Sequence, residues 1–334
     1  MAIAQTADGF LWLATEEGLV RYNGRTFVTF DERNAPGLGD RFIRSLATGP
    51  DGSLWIGTMS GLAHYKDGKF QSLRNEPPTR VDIYDLCVDR DGSVWFSSDQ
   101  GLRQLRDGKL RVYTTSDGLP SNGISGIAKS QDGTLWIATT KGLARFQAGR
   151  FTAYTTWDGG PAVGLNTIAD GKDGSVWIGT TNGRVGRWQD GRITTWWDGK
   201  ATRDSRVESL REDVDGNLWI AFENVGVARM NGRKLEIFTK SDGLPSNNPD
   251  WVFEERLIPH VAQHARSDVR ACPLEPRTRT SALVSLCTSF TKPVTSWDRD
   301  QERAQSAAMR SQDAARRRDD EHPLRVDRRV DEHL

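Results

Sequence analysis

The 334-residue sequence predicts an all-β chain: a β-propeller of four-stranded blades, six of them complete, then the first strand of a seventh and a disordered tail. Three observations predict it. A tryptophan-centred string recurs six times at a near-constant spacing, each copy holds four short apolar runs separated by tight turns, and every glycine lies before residue 244.

The string reads Asp8-Gly9-Phe10-Leu11-Trp12-Leu13, then Asp51-Gly52-Ser53-Leu54-Trp55-Ile56 and Asp91-Gly92-Ser93-Val94-Trp95-Phe96, with further copies starting at Asp132, Asp173 and Asp215. Its tryptophans, Trp12, Trp55, Trp95, Trp136, Trp177 and Trp219, are separated by 43, 40, 41, 41 and 42 residues. A Gly-Leu pair follows six or seven residues later, as in Gly18-Leu19 and Gly142-Leu143, altered to Gly183-Arg184 and Gly226-Val227 in the last two copies. A second turn such as Asp67-Gly68 or Asn231-Gly232 then precedes another apolar run; Asp-Gly and Asn-Gly tolerate the positive φ of tight hairpins. In the fourth copy the strands are expected at 124–129, 135–139, 143–146 and 151–155. A blade of about 42 residues cannot bury both faces alone, so adjacent blades must stack, and a large aromatic at one repeated strand position suits that interface. The six period tryptophans are therefore assigned a structural role.

Composition excludes several classes. With 45 basic and 45 acidic side chains the chain gives no electrostatic case for nucleic acid, and no apolar run is long enough to span a membrane. Cys87, Cys272 and Cys287 show no metal-ligand spacing. Asp89-Arg90-Asp91-Gly92 and Asp213-Val214-Asp215-Gly216-Asn217 start like calcium loops, but Gln100 and Asn224 stand where an EF-hand needs glutamate. No cofactor, metal or catalytic residue is assigned. His64, the one histidine of the repeats, occupies a slot that other copies fill with Arg21, Arg145, Arg187 and Arg229, which marks a strand position rather than a catalytic base.

The multi-word pattern of Asp51 to Thr58, Gly142 to Arg145 and Asp117 to Asn122 closely resembles the two-component regulator propeller repeat, over residues 1–255. The resemblance implies a non-catalytic, ligand-sensing propeller, part of a bacterial signal-transduction receptor. Relatives of that kind work outside the inner membrane and couple to a histidine kinase, a response regulator or a diguanylate cyclase. No such output motif occurs here, and residues 1–6 lack the features of a secretory signal. Localisation is thus periplasmic by resemblance and cytoplasmic for the chain as written.

Binding is expected on the face where loops between consecutive blades meet the turns between middle strands. Trp157 and Trp197 precede Asp158 and Asp198 in two consecutive loops, where other copies carry serine; with Asn122, Asn182 and Asn224 nearby, an exposed indole could stack on a sugar while the polar groups take its hydroxyls. These seven residues are the candidate ligand site for an oligosaccharide or other small ligand. The alternatives are that both tryptophans seal a blade edge, that the chain is a propeller enzyme (polysaccharide lyase or lactonase), or that it is a protein-interaction scaffold. The inner strands supply mainly Asp82, Tyr84, Asp85, Lys129, Glu208 and Arg211 for such chemistry.

At 251–255 a seventh inner strand begins, but its Asp-Gly-x-Leu-Trp string does not follow. Residues 256–334 carry no glycine and runs such as Arg316-Arg317-Arg318. Two readings account for them: a reading frame lost near codon 256 of a G+C-rich gene, or a genuine charged tail. An aborted seventh blade would leave open sheet edges and favour self-association, while closure as a six-bladed ring stays open.

Overall fold

A computed structural model describes residues 2–73, 81–98, 100–162, 164–202, 204–256 and 281–287. Six four-stranded antiparallel sheets follow one another along the chain, each with its strands in sequential order. Blade 4 is representative: Ile124–Lys129 is innermost, followed outward by Leu135–Thr139, Gly142–Gln147 and Arg150–Tyr154. All five residues of Leu135–Thr139 are buried, because both faces of the strand are covered, one by each neighbouring blade. That is why the string runs apolar without alternation. The outermost strand holds only exposed and half-buried residues instead.

The turn chemistry works as the sequence implies. The hairpins between the third and fourth strands place Asp67 and Gly68 at φ 50 and 78, and Asp107 and Gly108 at 49 and 72. Gly142 of the Gly-Leu pair has φ +143, and a Cβ there would lie 2.7 Å from the Tyr154 carbonyl oxygen, so both backbone conformation and space demand glycine.

The core lies between blades rather than within one. Trp12 (blade 1) meets Tyr65 (blade 2) at 4.8 Å between ring centroids, Trp95 meets Phe146 at 5.1 Å, and Trp136 meets Trp188 at 4.3 Å. Trp12, Trp95, Trp136, Trp177 and Trp219 are each at most 5% exposed, whereas Trp55 is half-buried.

The inner strands Ile3–Gln5, Ile43–Thr48, Leu86–Val88, Ile124–Lys129, Leu165–Asp170 and Val207–Glu212 stand side by side in chain order. The strand Pro249–Arg256 takes a seventh place, beside Val207–Glu212 on one side and Ile3–Gln5 on the other. Ser281–Cys287 pairs antiparallel with it, in the position of a second strand, although the sequence reading assigned no strand beyond residue 256. The rest of the expected tail, 257–280 and 288–334, lies outside the described residues.

Candidate functional site

Two ends of each blade must be distinguished. At one end lie the Asp-Gly turns. There the aspartates of blades 2, 4 and 5 cap their own turns: Asp51 Oδ1 accepts from Ser53 N at 3.2 Å, Asp132 Oδ1 from Thr134 N at 2.9 Å, and Asp173 Oδ1 from Ser175 N at 3.1 Å, while in blade 6 Asp213 Oδ1 accepts from Asn217 N at 2.8 Å. In blades 2 and 5 a basic residue of the third strand then pairs with the turn aspartate, Lys66 with Asp51 at 2.6 Å and Arg187 with Asp173. The hydrogen bonds from Ser53 and Lys66 hold the Asp51 carboxyl well below the usual carboxylate range.

The repeat tryptophans spend their polar atoms here too. Trp12 Nε1 donates to Thr6 Oγ1 at 3.0 Å, Trp95 to Asp89 Oδ2 at 3.2 Å, Trp136 to Ser130 Oγ at 2.9 Å and Trp219 to Asp213 Oδ2 at 2.7 Å. Each acceptor sits six residues before its tryptophan. Asp89 and Asp213, which open the calcium-like strings, are thus engaged by indoles, and Asp89 also pairs with Lys129. In blade 5 that slot is Gly171, and Trp177 reaches Glu212 Oε2 of blade 6 at 2.8 Å instead. Arginines of the third strand lie over the same rings: Arg187 is 5.1 Å from the Trp177 centroid and Arg229 5.8 Å from that of Trp219. His64 stacks on Trp55 at 4.4 Å in this slot, and burial pushes its imidazole below the ordinary histidine range.

At the opposite end the inter-blade loops and the middle turns do meet. Thr140 N donates to Gly123 O at 3.0 Å, Thr181 N to Gly164 O at 2.9 Å, and Glu223 N to Arg206 O at 2.9 Å.

The seven candidate residues belong to the loops and turns of this end, spread over blades 3 to 6. Trp157 is corrected: its indole is not exposed but 3% accessible, in the core between blades 4 and 5. The physical cause is a local change in blade 5. A Cβ on Gly186 would lie 2.4 Å from the Trp157 ring, so glycine there makes the space, while Arg184, in the slot of the usual leucine, covers the ring at 4.5 Å. Trp157 Nε1 donates to Thr195 Oγ1 at 2.9 Å, and Asp158 accepts from the same hydroxyl and pairs with Arg184 at 3.5 Å. Trp197 is half-buried against the core between blades 5 and 6. Asp198 is exposed and caps Lys200 N at 3.2 Å.

The three asparagines are exposed turn-formers. Asn182 Oδ1 accepts from Thr180 Oγ1 at 2.7 Å, and Asn224, at φ 59, donates its backbone N–H to Asn248 Oδ1 at 3.0 Å. Asn122 Oδ1 accepts from Thr115 N at 2.9 Å, and its counterpart Asn247 from Lys240 N at 2.7 Å. The Asp-Gly-Leu-Pro-Ser-Asn loop is thus self-capped, with Leu119 and Leu244 each 4% exposed in the core beneath it.

The structure draws attention to the axis instead. Inner strands of blades 2, 4, 5, 6 and 7 carry a β-bulge at one equivalent place, between Ile43 and Ser45, Ile124 and Gly126, Leu165 and Thr167, Val207 and Ser209, and Pro249 and Trp251. Bulges re-aim the extra residue. The bulge side chains of blades 2, 4 and 5 tie to the next blade: Arg44 Nε to Asp82 at 2.7 Å, Ser125 Oγ to Leu165 O at 2.7 Å, and Asn166 Nδ2 to Val207 O at 2.8 Å. Blade 3 differs. Its inner strand is shortened to Leu86–Val88, Asp85 makes the tie by accepting from Ile127 N at 2.8 Å, and Tyr84, in the equivalent place, is 40% exposed. Burial pushes the Asp85 carboxyl up to about 6. Among the described residues no group of three or more His, Cys, Asp or Glu could hold a metal, and no helix is long and apolar enough to cross a membrane.

A family profile described as two component regulator propeller matches residues 37–60, 78–100 and 118–141. Each match runs from an inter-blade loop through an inner strand into the tryptophan string or the turn beyond it. No curated protein matches the chain. Solved structures do. The extracellular domain of a candidate one component system from B. thetaiotaomicron aligns at TM-score 0.63 and 22% identity, over 75% of this chain and 35% of that one. The extracellular domain of a candidate hybrid two component system from the same organism aligns at 0.62 and 24%, over 75% and 36%. This chain therefore spans about a third of the length of those two. Virginiamycin B lyase from Staphylococcus aureus aligns at 0.53 and 20%, over 63% and 73%. At these identities the likeness is one of fold. Profile and blades agree where they overlap: the three matched stretches carry two component regulator propeller repeats, and each includes an inner strand and a tryptophan string, of blades 2, 3 and 4.

Proposed function

We propose that this chain is a non-catalytic, ligand-sensing β-propeller that works as one part of a bacterial signal receptor and binds a saccharide. The observation that carries the non-catalytic half is the use made of its ionisable groups. Asp85 holds Ile127 N, Lys129 pairs with Asp89, Arg44 pairs with Asp82, and His64 is stacked on Trp55 away from the axial loops. Groups committed to holding blades together have neither the freedom nor the convergence that acid–base catalysis needs. The sensing half is supported by the repeat family and by fold likeness to extracellular domains of candidate one component and hybrid two component systems. Such a receptor would carry its signal to a histidine kinase, response regulator or diguanylate cyclase, with the propeller outside the inner membrane.

The likeness to a lyase favours a second reading, a propeller enzyme. One experiment separates the two: purified chain incubated with a panel of oligosaccharides, polyuronates and lactones, with binding followed by calorimetry and products by mass spectrometry. Binding of a saccharide without product is expected. Turnover of a polyuronate or lactone would refute the sensing reading.

A further inference from the structure

Around the axis, Tyr84 departs from the pattern set by Arg44, Ser125 and Asn166. Arg44, Ser125 and Asn166 each reach the next blade, and all are at least partly covered. Tyr84 makes no side-chain hydrogen bond to a neighbouring blade among the described residues, and its ring is left open because Asp85 has taken over the tie. The ties to the next blade thus account for Arg44, Ser125 and Asn166, whereas among the described residues Tyr84 meets the neighbouring blade only through the Arg44 guanidinium over its ring.

Its surroundings are chemically specific. The Arg44 guanidinium lies 5.3 Å from the Tyr84 ring centroid and 5.6 Å from that of Phe42, which is half-buried at the start of the preceding inner strand. Asp82 pairs with Arg44, Nε to Oδ1 at 2.7 Å, on the inner side of the guanidinium fork, which leaves the two Nη groups as donors. In blades 4 and 5, Gly123 and Gly164 occupy the sequence position that Phe42 and Asp82 hold in blades 2 and 3, so no side chain stands there. A tyrosine ring that stays 40% exposed beside an arginine, adjacent donors and acceptors, and a charge already neutralised by its partner match a ligand with an apolar ring face and neighbouring hydroxyls. A carboxylate-bearing ligand would meet Asp82 beside Arg44.

We propose that the axial mouth at blades 2 and 3 binds a neutral pyranose, with Tyr84 as the stacking face and the Arg44–Asp82 pair holding adjacent hydroxyls. The proposal rests on the saccharide reading above and moves its location from the loop tryptophans to the axis.

The test is calorimetry of the full chain with neutral cello-, xylo-, manno- and malto-oligosaccharides and with an oligogalacturonate. Wild type is compared with Tyr84→Ala, Tyr84→Phe and the distant Trp157→Phe. A neutral sugar should bind, Tyr84→Ala should weaken it by about tenfold or more, and the other two variants should stay within about threefold of wild type. Melting curves confirm that the variants fold, as a 40%-exposed side chain allows. If a neutral sugar binds but Tyr84→Ala leaves its affinity unchanged, or if the oligogalacturonate binds best, the axial site is wrong while the saccharide reading survives. If folded wild type binds no member of the panel, both fall together.

Discussion

The turn end and the axial end of each blade are built from the same repeat, yet they behave differently. At the turn end the Asp-Gly caps, basic partners and indole donors recur in several blades, and where Gly171 removes an acceptor Glu212 replaces it. At the axial end the equivalent residues are Arg44, Tyr84, Ser125, Asn166 and Glu208, no two alike. Periodic positions answer to packing, which every interface requires equally. Where the period breaks without a packing reason, another demand is acting, and Tyr84 is the clearest case.

The comparison is broken most severely at the turn end. Trp136→Ala removes an indole buried between blades 4 and 5 and should cost about 3–5 kcal/mol in denaturant unfolding. A cost as small as that of a surface substitution would mean that the tryptophans are not the inter-blade core.

Next comes the local exception in blade 5. Gly186→Val forces a side chain into the Trp157 ring and should destabilise by about 1–3 kcal/mol. In a Trp157→Ala background most of that penalty should vanish. Additive effects would show that the two positions do not share the space.

Asp85 sharpens the contrast through pH. Its carboxyl titrates near 6 in the fold against an ordinary value of 3.8, so the folded state holds the proton more tightly than the unfolded chain. The stabilisation this confers is complete below about pH 4 and is lost as pH rises through about 6. Asp85→Asn, which cannot ionise, should therefore gain on wild type by on the order of 1–2 kcal/mol between pH 4.5 and 7.5. Parallel pH profiles for the two proteins would refute the assignment.

The smallest effect belongs to the self-capped loops. Asn122→Ala loses one acceptor for an exposed backbone N–H and should cost about 0.5–1.5 kcal/mol, with sugar binding untouched. A loss of binding with unchanged stability would return Asn122 to the ligand site.

Much of the fold was legible because its cause is local and repeated. Asp67-Gly68 reads as a hairpin since both residues adopt positive φ, and Leu135–Thr139 reads as a fully buried strand since all five positions lack solvent. The candidate site was less legible. Trp157 looked like an exposed loop aromatic because nothing in its own neighbourhood reveals Gly186, some thirty residues onward, which makes room for the ring. Arg44 and Phe42 were overlooked because an inner-strand bulge leaves no mark on the apolar pattern around it. Comparing equivalent positions of the repeat would have found them.

The blade, its period, its turns and the aromatic interface could be read from the chain alone, since each depends on residues within one repeat or at a fixed offset from it. How the ring uses its seventh place, and which polar groups face solvent at the axis, follows from contacts between distant repeats. Pro249–Arg256 lies beside both Val207–Glu212 and Ile3–Gln5, and that adjacency joins residues more than two hundred positions apart. Which side chains the blades cover, and which they leave open as they leave Tyr84, depends on how neighbouring sheets meet, and no single repeat encodes that.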